Sequence, residues 1–497
     1  MKNLRRTISA ALVFAMLLTS AGTLIACSDS TDTKSSSDTT AQIGTDVNTP
    51  TDTDNLSDLE KRQLIPDDLP AKEFEGRTFR FAIEENKEFE IWSEDITGEI
   101  TNDSIYNRNI AIEDRFKIKI SAEVLEAVQS KINTFVTAGD NAYEVMGFQA
   151  YTSYTPITAK AVMNWYDIPY MDFEKPWYNK ITNDAATFNG RLFNLTSSLA
   201  VTQMQYTYAM FFNQRIMEEF GFNSQDLYKL VYDGEWTFDK FYEIISGIYV
   251  DANGDAKKDV GDIFGYATQL THPSDVWLAA FDQPISGKDS EGNVTIDFVT
   301  EKTMKALEKV YDLTYNLEST FVYTGQYDEY KHFANSKVAI CPLPFKVAYV
   351  ELREMADAYG ILPYPKWDEA QEEYRTNIFD QYSCFAVPKT AQDLEFIGII
   401  MEALNAESYK TVYPAFYDVA LKNKYTEDLD TAAMVDIVMT GANMDFSFTF
   451  GESVFQRVPY MFRDLISAKS VDLMSKYSGL EKVLGKSLAK LYTYYED

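Results

Sequence analysis

Between Phe79 and Phe148 the hydrophobic period of this chain switches repeatedly from two residues to about 3.6 and back, and nothing else in the sequence limits the fold as much. Phe79, Phe81 and Ile83 alternate with Arg80 and Ala82, the period of a strand. From Ile105 to Arg115, Ile105, Asn109 and Ile112 fall at helical spacing. Phe116, Ile118 and Ile120 then alternate with Lys117 and Lys119. Val128, Ile132, Phe135 and Val136 line one helix face, Gly139 marks its end, and Tyr143 to Phe148 reads as a third strand. Folding is expected to begin near Gly76. Strands separated by helices of this length imply a largely parallel sheet with crossover helices, whose ligand sites lie beyond the carboxyl ends of the strands. Those ends are Glu84 and Glu85, and the group Phe148, Gln149 and Tyr151.

The second half repeats the grammar. Thr237 is placed to cap a helix that turns Phe238, Phe241, Ile245 and Ile248 inward, and Met304, Leu307 and Tyr311 mark another. Phe264 to Gln269 and Val294 to Phe298 read as strands between them. No repeat period suggests a solenoid or propeller. Two such halves match the length, because roughly 430 residues exceed what one hydrophobic core supports.

The amino terminus follows a different logic. Lys2, Arg5 and Arg6 precede an apolar core from Ile8 to Leu18, the order of a secretory signal, and that core is too short to span a bilayer. Leu24, Ile25, Ala26 and Cys27 resemble the lipobox of bacterial lipoproteins. By that resemblance residues 1–26 are cleaved and Cys27 receives a diacylglycerol, so that two acyl chains anchor the protein to the membrane. From Ser28 to about Asn55 the chain repeats Ser, Thr and Asp with almost no large apolar residue, and cannot bury enough surface to fold. It is expected to serve as a tether, running from 27 to 73, with a coil reach of roughly 30–35 Å. Loss of the signal would take the formal charge from −31 to −34, since it removes three basic residues and no acidic one. So acidic a chain lacks the basic patches that phosphate backbones and anionic headgroups require, which excludes nucleic acid as a partner and leaves the lipid as the only membrane contact. Cys341 and Cys384 are too few and too far apart for a disulfide scaffold, and the sequence leaves open whether they pair.

The segments Phe211 to Phe222, Glu235 to Ile245, Phe333 to Phe345, Gly360 to Tyr374 and Glu407 to Tyr425, taken in order, resemble the extracellular solute-binding proteins, family 1, which deliver sugars to ABC importers. FFNQRIMEEFGF (Phe211 to Phe222) followed by EWTFDKFYEII (Glu235 to Ile245) is similar to that family's "FN" segment and the tryptophan-led helix after it. FANSKVAICPLPF (Phe333 to Phe345) resembles its F-x-x-G-K-x-A-M segment, with Ser336 where glycine is usual. GILPYPKWDEAQEEY (Gly360 to Tyr374) and ESYKTVYPAFYDVALKNKY (Glu407 to Tyr425) are similar to further family segments. The resemblance covers the chain from about Gly76. It implies a periplasmic-binding-protein-like type II fold: two α/β lobes joined by crossing strands, with a ligand cleft between them. Residues 74–207 and 380–410 would form the first lobe, and 208–379 and 411–497 the second, crossing near Tyr206 to Phe212 and returning near Asp380 to Val387. It further implies a monomeric carbohydrate receptor that closes about a hinge, works with ABC permease subunits and sits on the extracellular face of the cytoplasmic membrane.

A sugar cleft combines aromatic faces for C–H surfaces with carboxylates and amides for hydroxyls. With Glu84, Glu85, Phe148, Gln149 and Tyr151, alignment to the family puts Tyr206 at the crossing and Phe345 after a segment that commonly ends in a sugar-stacking aromatic. Trp277 in a second-lobe loop, Trp177 in the element Pro176 to Asn179, and Asp380 and Tyr382 at the return crossing complete the expected ligand set. Alanine at Trp277 or Tyr206 is then expected to weaken binding and spare stability. The loop DANGDAKKDVGD (Asp251 to Asp262) puts acidic or amide side chains at positions one, three, five and twelve, the spacing a structural Ca²⁺ asks for. Asp251, Asn253, Asp255 and Asp262 would ligate by side chain, Lys257 by its carbonyl and Asp259 through water. Ala256 departs from the glycine usual there. The competing reading is a surface carbohydrate hydrolase with two carboxylates facing each other across a cleft, which 76 acidic residues leave open. A peptide- or metal-binding lipoprotein leaves the family segments unexplained, and with only His272 and His332 present there is no histidine cluster and no serine-nucleophile elbow.

Overall fold

The computed structural model describes residues 58–323, 328–416 and 429–496. The expected signal, the expected lipidation site at Cys27 and the expected tether as far as residue 57 lie outside the described residues. The expected tether is shorter than 27–73, because α1 (Asp58–Leu64) and the segment after it are fastened to the folded body. Arg115 pairs with Asp67, Lys175 donates to the Pro66 carbonyl at 2.9 Å and to Asp68 at 2.6 Å, and Ile65 and Leu69 pack on the core. Apolar residues returning at 64, 65 and 69 give this stretch something to bury.

The first sheet is built from β1 (Thr78–Glu84), β2 (Lys119–Leu125) and β3 (Val145–Gln149), with α2 (Ile100–Phe116) and α3 (Val128–Ala138) as the crossovers. β1 pairs in parallel with both β2 and β3, as the alternation of strand and helix dictates. One expected boundary moves: Phe116 ends α2 rather than opening a strand, Lys117 takes the left-handed cap conformation, and β2 starts at Lys119. Gly139, at φ 70°, closes α3 with its N–H on the Phe135 and Val136 carbonyls.

The chain then enters a second sheet through β4 (Tyr208–Asn213). After α4 (Phe238–Ser246), whose cap is Thr237, come β5 (Tyr249–Val250), β6 (Ile263–Gln269), α5 (His272–Ala280), α6 (Glu301–Tyr315), β7 (Thr320–Tyr323), β8 (Val338–Pro344), α7 (Phe345–Val350) and β9 (Tyr359–Leu362). The order is β9-β4-β8-β6-β5, with β7 also on β6. The chain returns to the first sheet as β10 (Ser383–Ala386), antiparallel to β3, and α8 (Leu394–Glu407) covers that sheet. Residues 408–416, which the expected boundary at 410 divides, pack as one piece on α2. α9 (Leu429–Thr440) lies on β9, α10 (Met461–Ser467) on α5 and α6, and α11 (Glu481–Tyr494) ends the chain.

Three passages link the sheets side by side. Thr207 bridges Ile378, Phe379 N–H donates to the Tyr206 carbonyl at 3.0 Å, and Thr376 and Asn377 pair in parallel with Ala442 and Asn443. The family resemblance implies crossings near Tyr206 to Phe212 and near Asp380 to Val387; the return contacts fall just before the second of these, at Ile378 and Phe379, and the resemblance names no passage at Ala442. One apolar cluster runs from Ala82 and Phe148 through Phe188 to Trp277 and touches both halves. Phe79, Phe81 and Ile83 fill a second cluster with α2 and α8, and Phe211 and Cys341 a third with α9. Cys341 in β8 and Cys384 in β10 are both buried and free, because they belong to different sheets. Among the described residues no helix is long and apolar enough to cross a membrane.

Candidate functional site

The strand ends and the hinge meet at one place. Glu84 closes β1 and accepts the Gln149 N–H at 3.1 Å, which ties the ends of β1 and β3 together. The next amides of that turn bind the return passage: Ala150 N–H to the Tyr382 carbonyl at 2.9 Å and Tyr151 N–H to the Asp380 carbonyl at 3.0 Å. Tyr151 keeps 36% of its surface exposed, and Glu84 and Asp380 are near enough to raise its phenol pKa further after burial. Glu85 is exposed one residue beyond the strand. Tyr206, half-buried at the first passage, meets Phe379 edge-on at 5.7 Å between ring centres.

The second half supplies the opposing groups. Arg463 of α10 donates to Asp275 at 2.7 Å and to His272 Nδ1 at 3.1 Å, both on α5. The His272 ring lies on Phe379, and Arg463 lies 4.4 Å from the centre of the Tyr460 ring. Tyr460 Oη donates to Asp380 Oδ2 at 3.1 Å, which closes a chain of contacts from α5 through α10 to the hinge. Two lysines complete the set, Lys87 from the first half and Lys346 from the second, each with its ammonium over Tyr206.

Burial perturbs this polar chain strongly. It pushes Asp275 up to about 8 against the pull of Arg463, and Asp380 up to about 6 against Tyr460 and Arg463. His272 is driven down to about 3 by burial and by the Arg463 charge. Away from the site, burial lifts Glu402 to about 7. A carboxyl with a raised pKa holds a proton in the fold that the unfolded chain has released, so its contribution to stability falls as pH rises through that window. For His272 the sign reverses, and its contribution rises with pH until 6.5, its ordinary value. Above pH 6.5 the carboxyls act without that opposition. The denaturant midpoint should therefore fall between pH 6.5 and pH 8, and a flat or rising profile would overturn these protonation states.

Five residues of the expected ligand set are committed elsewhere. Phe148 is wholly buried, because strand alternation sends it into the core beneath β3. Trp177 is also fully buried, with Nε1 donating to Glu402 at 3.1 Å, and braces the first half. Trp277 sits on α5 rather than in a loop; 2% exposed, it packs against Phe238, Phe281 and Tyr364. Phe345 opens α7, gives its N–H to the Thr207 carbonyl and packs edge-on against Phe211. Tyr382 is fully buried with its hydroxyl 3.0 Å from that of Thr196. Glu84, Gln149, Tyr151, Tyr206 and Asp380 are brought together. Sequence reasoning missed Lys87, Lys346, His272, Asp275, Tyr460 and Arg463. Only Lys87 and Lys346 carried a usable signal, as each stands just past an element already singled out.

The acidic loop turns its side chains onto its own backbone. Asp251 accepts from Gly254 and Ala256, Asn253 from Asp255, Asp255 from Lys257, Asp259 from Gly261, and Asp262 from Ala252 and Asp259. Among the described residues no group of three or more His, Cys, Asp or Glu side chains is gathered to hold a metal ion.

Comparison with solved structures identifies the architecture. The sugar-binding protein MalE from Xanthomonas citri is similar at a TM-score of 0.57 and 14% identity, covering 84% of this chain and 99% of that one. The GacH receptor of Streptomyces glaucescens, solved unliganded and with acarbose, matches at 0.52 and 13%, over 83% and 99%. A cyclo/maltodextrin-binding protein complexed with maltotetraose matches at 0.54 and 12%, over 84% and 97%. This chain has their type II periplasmic-binding-protein fold, two α/β lobes joined by crossing strands. No family profile and no curated protein sequence matches it.

Proposed function

We propose that this chain is the solute-binding receptor of an ABC importer and takes a carbohydrate, an oligosaccharide by preference, into the site at the hinge. The observation that carries the reading is the convergence of Glu84, Gln149 and Tyr151 from one half with His272, Asp275 and Arg463 from the other around Tyr206 and Asp380. Groups from two halves around a hinge give a ligand the means to favour the closed state, because it gains contacts there that the open state lacks. The similar folds that bind sugars support the same class of ligand. No chemistry is assigned to the site: Asp275 and Asp380, the acidic pair a hydrolase would need, are both buried, one bonded to Arg463 and the other to Tyr460, and this reading gives them the role of bracing the hinge.

Delivery to permease subunits, attachment through a diacylglycerol on Cys27 at the extracellular face of the membrane, and a monomeric state belong to this reading. Calcium in the loop from Asp251 to Asp262 is a separate proposal that rests on donor spacing alone. A thermal-shift screen of mono- and oligosaccharides, run with and without calcium and followed by product analysis, tests the function. The expected result is a saturable, selective rise in melting temperature with the sugar recovered intact. Cleaved sugar would favour the hydrolase, and no shift across the panel would contradict the receptor.

A further inference from the structure

Two ammonium groups from opposite halves share one aromatic ring. Lys87 stands three residues past the end of β1 with 4% of its surface exposed. Its Nζ donates to the Gln381 carbonyl at 2.9 Å and lies 4.5 Å from the centre of the Tyr206 ring. Lys346, the second residue of α7, is exposed and brings its Nζ to 5.5 Å from the same ring centre. Among the described residues neither ammonium has a carboxylate within ion-pair distance. One carbonyl and one ring face offer only partial charge to Lys87, which has lost most of its water. Burial does most to weaken its hold on its proton; the charge of Glu90 opposes this, the like charge of Lys346 adds to it, and Glu84 opposes it least.

Repulsion between these cations opposes drawing the halves together, and an anion seated between them turns that opposition into attraction. Three acids near the pair hold other partners: Glu84 accepts the Gln149 N–H, Asp380 accepts from Tyr460, and the buried Glu90 accepts the Thr202 N–H at 2.6 Å. We propose that the ligand is an acidic saccharide whose carboxylate bridges Lys87 and Lys346 beside Tyr206. The inference rests on the carbohydrate-receptor reading and narrows it to uronic-acid-bearing sugars. The carboxylate gains a charge-assisted hydrogen bond from each half, so closure and recognition become one event.

Calorimetric titration of the full chain with trigalacturonate and glucuronic-acid-bearing xylo-oligosaccharides, each against its carboxyl-reduced neutral counterpart, tests this. At least one acidic sugar should bind about tenfold or more tighter than its neutral form. Lys346→Met, an exposed position whose replacement spares the fold, should remove about tenfold of that affinity, and added salt should weaken it. Lys87→Met should do the same where its melting temperature stays near that of the parent. Neutral sugars binding as tightly as acidic ones, an unaffected Lys346→Met, or capture of an acidic peptide or inorganic phosphate instead would overturn the proposal while a sugar-induced shift left the receptor standing. No response to any saccharide, neutral or acidic, would overturn both.

Discussion

Trp277→Ala should lower the stability of the folded body by about 3–5 kcal/mol and leave the affinity of the surviving fold for any saccharide the parent binds unchanged. The indole is 2% exposed and meets Phe238, Phe281 and Tyr364 at centroid separations of 5.4, 5.5 and 5.1 Å. Alanine would leave a hole that three aromatic neighbours on different elements cannot fill by small movements. This reverses the outcome expected from sequence, where Trp277 was placed in a ligand-facing loop. Denaturant midpoints and calorimetry on the same variant separate the alternatives. Weaker binding at unchanged stability would put the indole back in the cleft. Tyr206→Ala should behave in the opposite sense, because its ring stands half-buried at the hinge beneath two cations.

Gly398→Ala should be nearly as damaging, at about 3 kcal/mol or more, above the common range for an overpacked core. A β-carbon there would lie 1.7 Å from the Pro169 carbonyl oxygen and 3.0 Å from its carbon, and backbone cannot swing aside as a side-chain tip can. Gly398 thus sets how closely α8 approaches the 168–169 segment. α8 also presents Phe396 to Phe74 and Phe79 at 4.7 and 5.3 Å, so pushing it outward loosens the layer that covers the first sheet. Urea denaturation checks this, and a midpoint equal to that of the parent would contradict the packing.

The fold was legible where one face of an element is buried and the other is not. Phe79, Phe81 and Ile83 in β1 and Val128 and Ile132 in α3 declared their periods, and strand ends then pointed to Glu84, Gln149 and Tyr151. The boundary at Phe116 was not legible, because an apolar residue closing a helix looks the same as one opening a strand. Nor were the roles of the large aromatics. Trp177, Trp277, Phe148 and Phe345 fit a core as readily as a cleft, and only tertiary packing decides. The second half of the site was hidden for another reason. Tyr460 and Arg463 reach the hinge through the third passage at Ala442 and Asn443, a two-residue pairing too short for any periodic signal. Lys87 and Lys346 were within reach, since Lys87 lies two residues beyond Glu85 and Lys346 directly after Phe345, both already read as site residues.

Small-angle scattering of the full chain, with and without the saccharide that most raises its melting temperature, tests the central claim of two lobes closing on an intact ligand most directly. The radius of gyration should contract saturably with dose, the midpoint should agree with calorimetry, and the sugar should be recovered unchanged. An unchanged radius at saturating ligand, or contraction accompanied by cleaved sugar, would contradict the account.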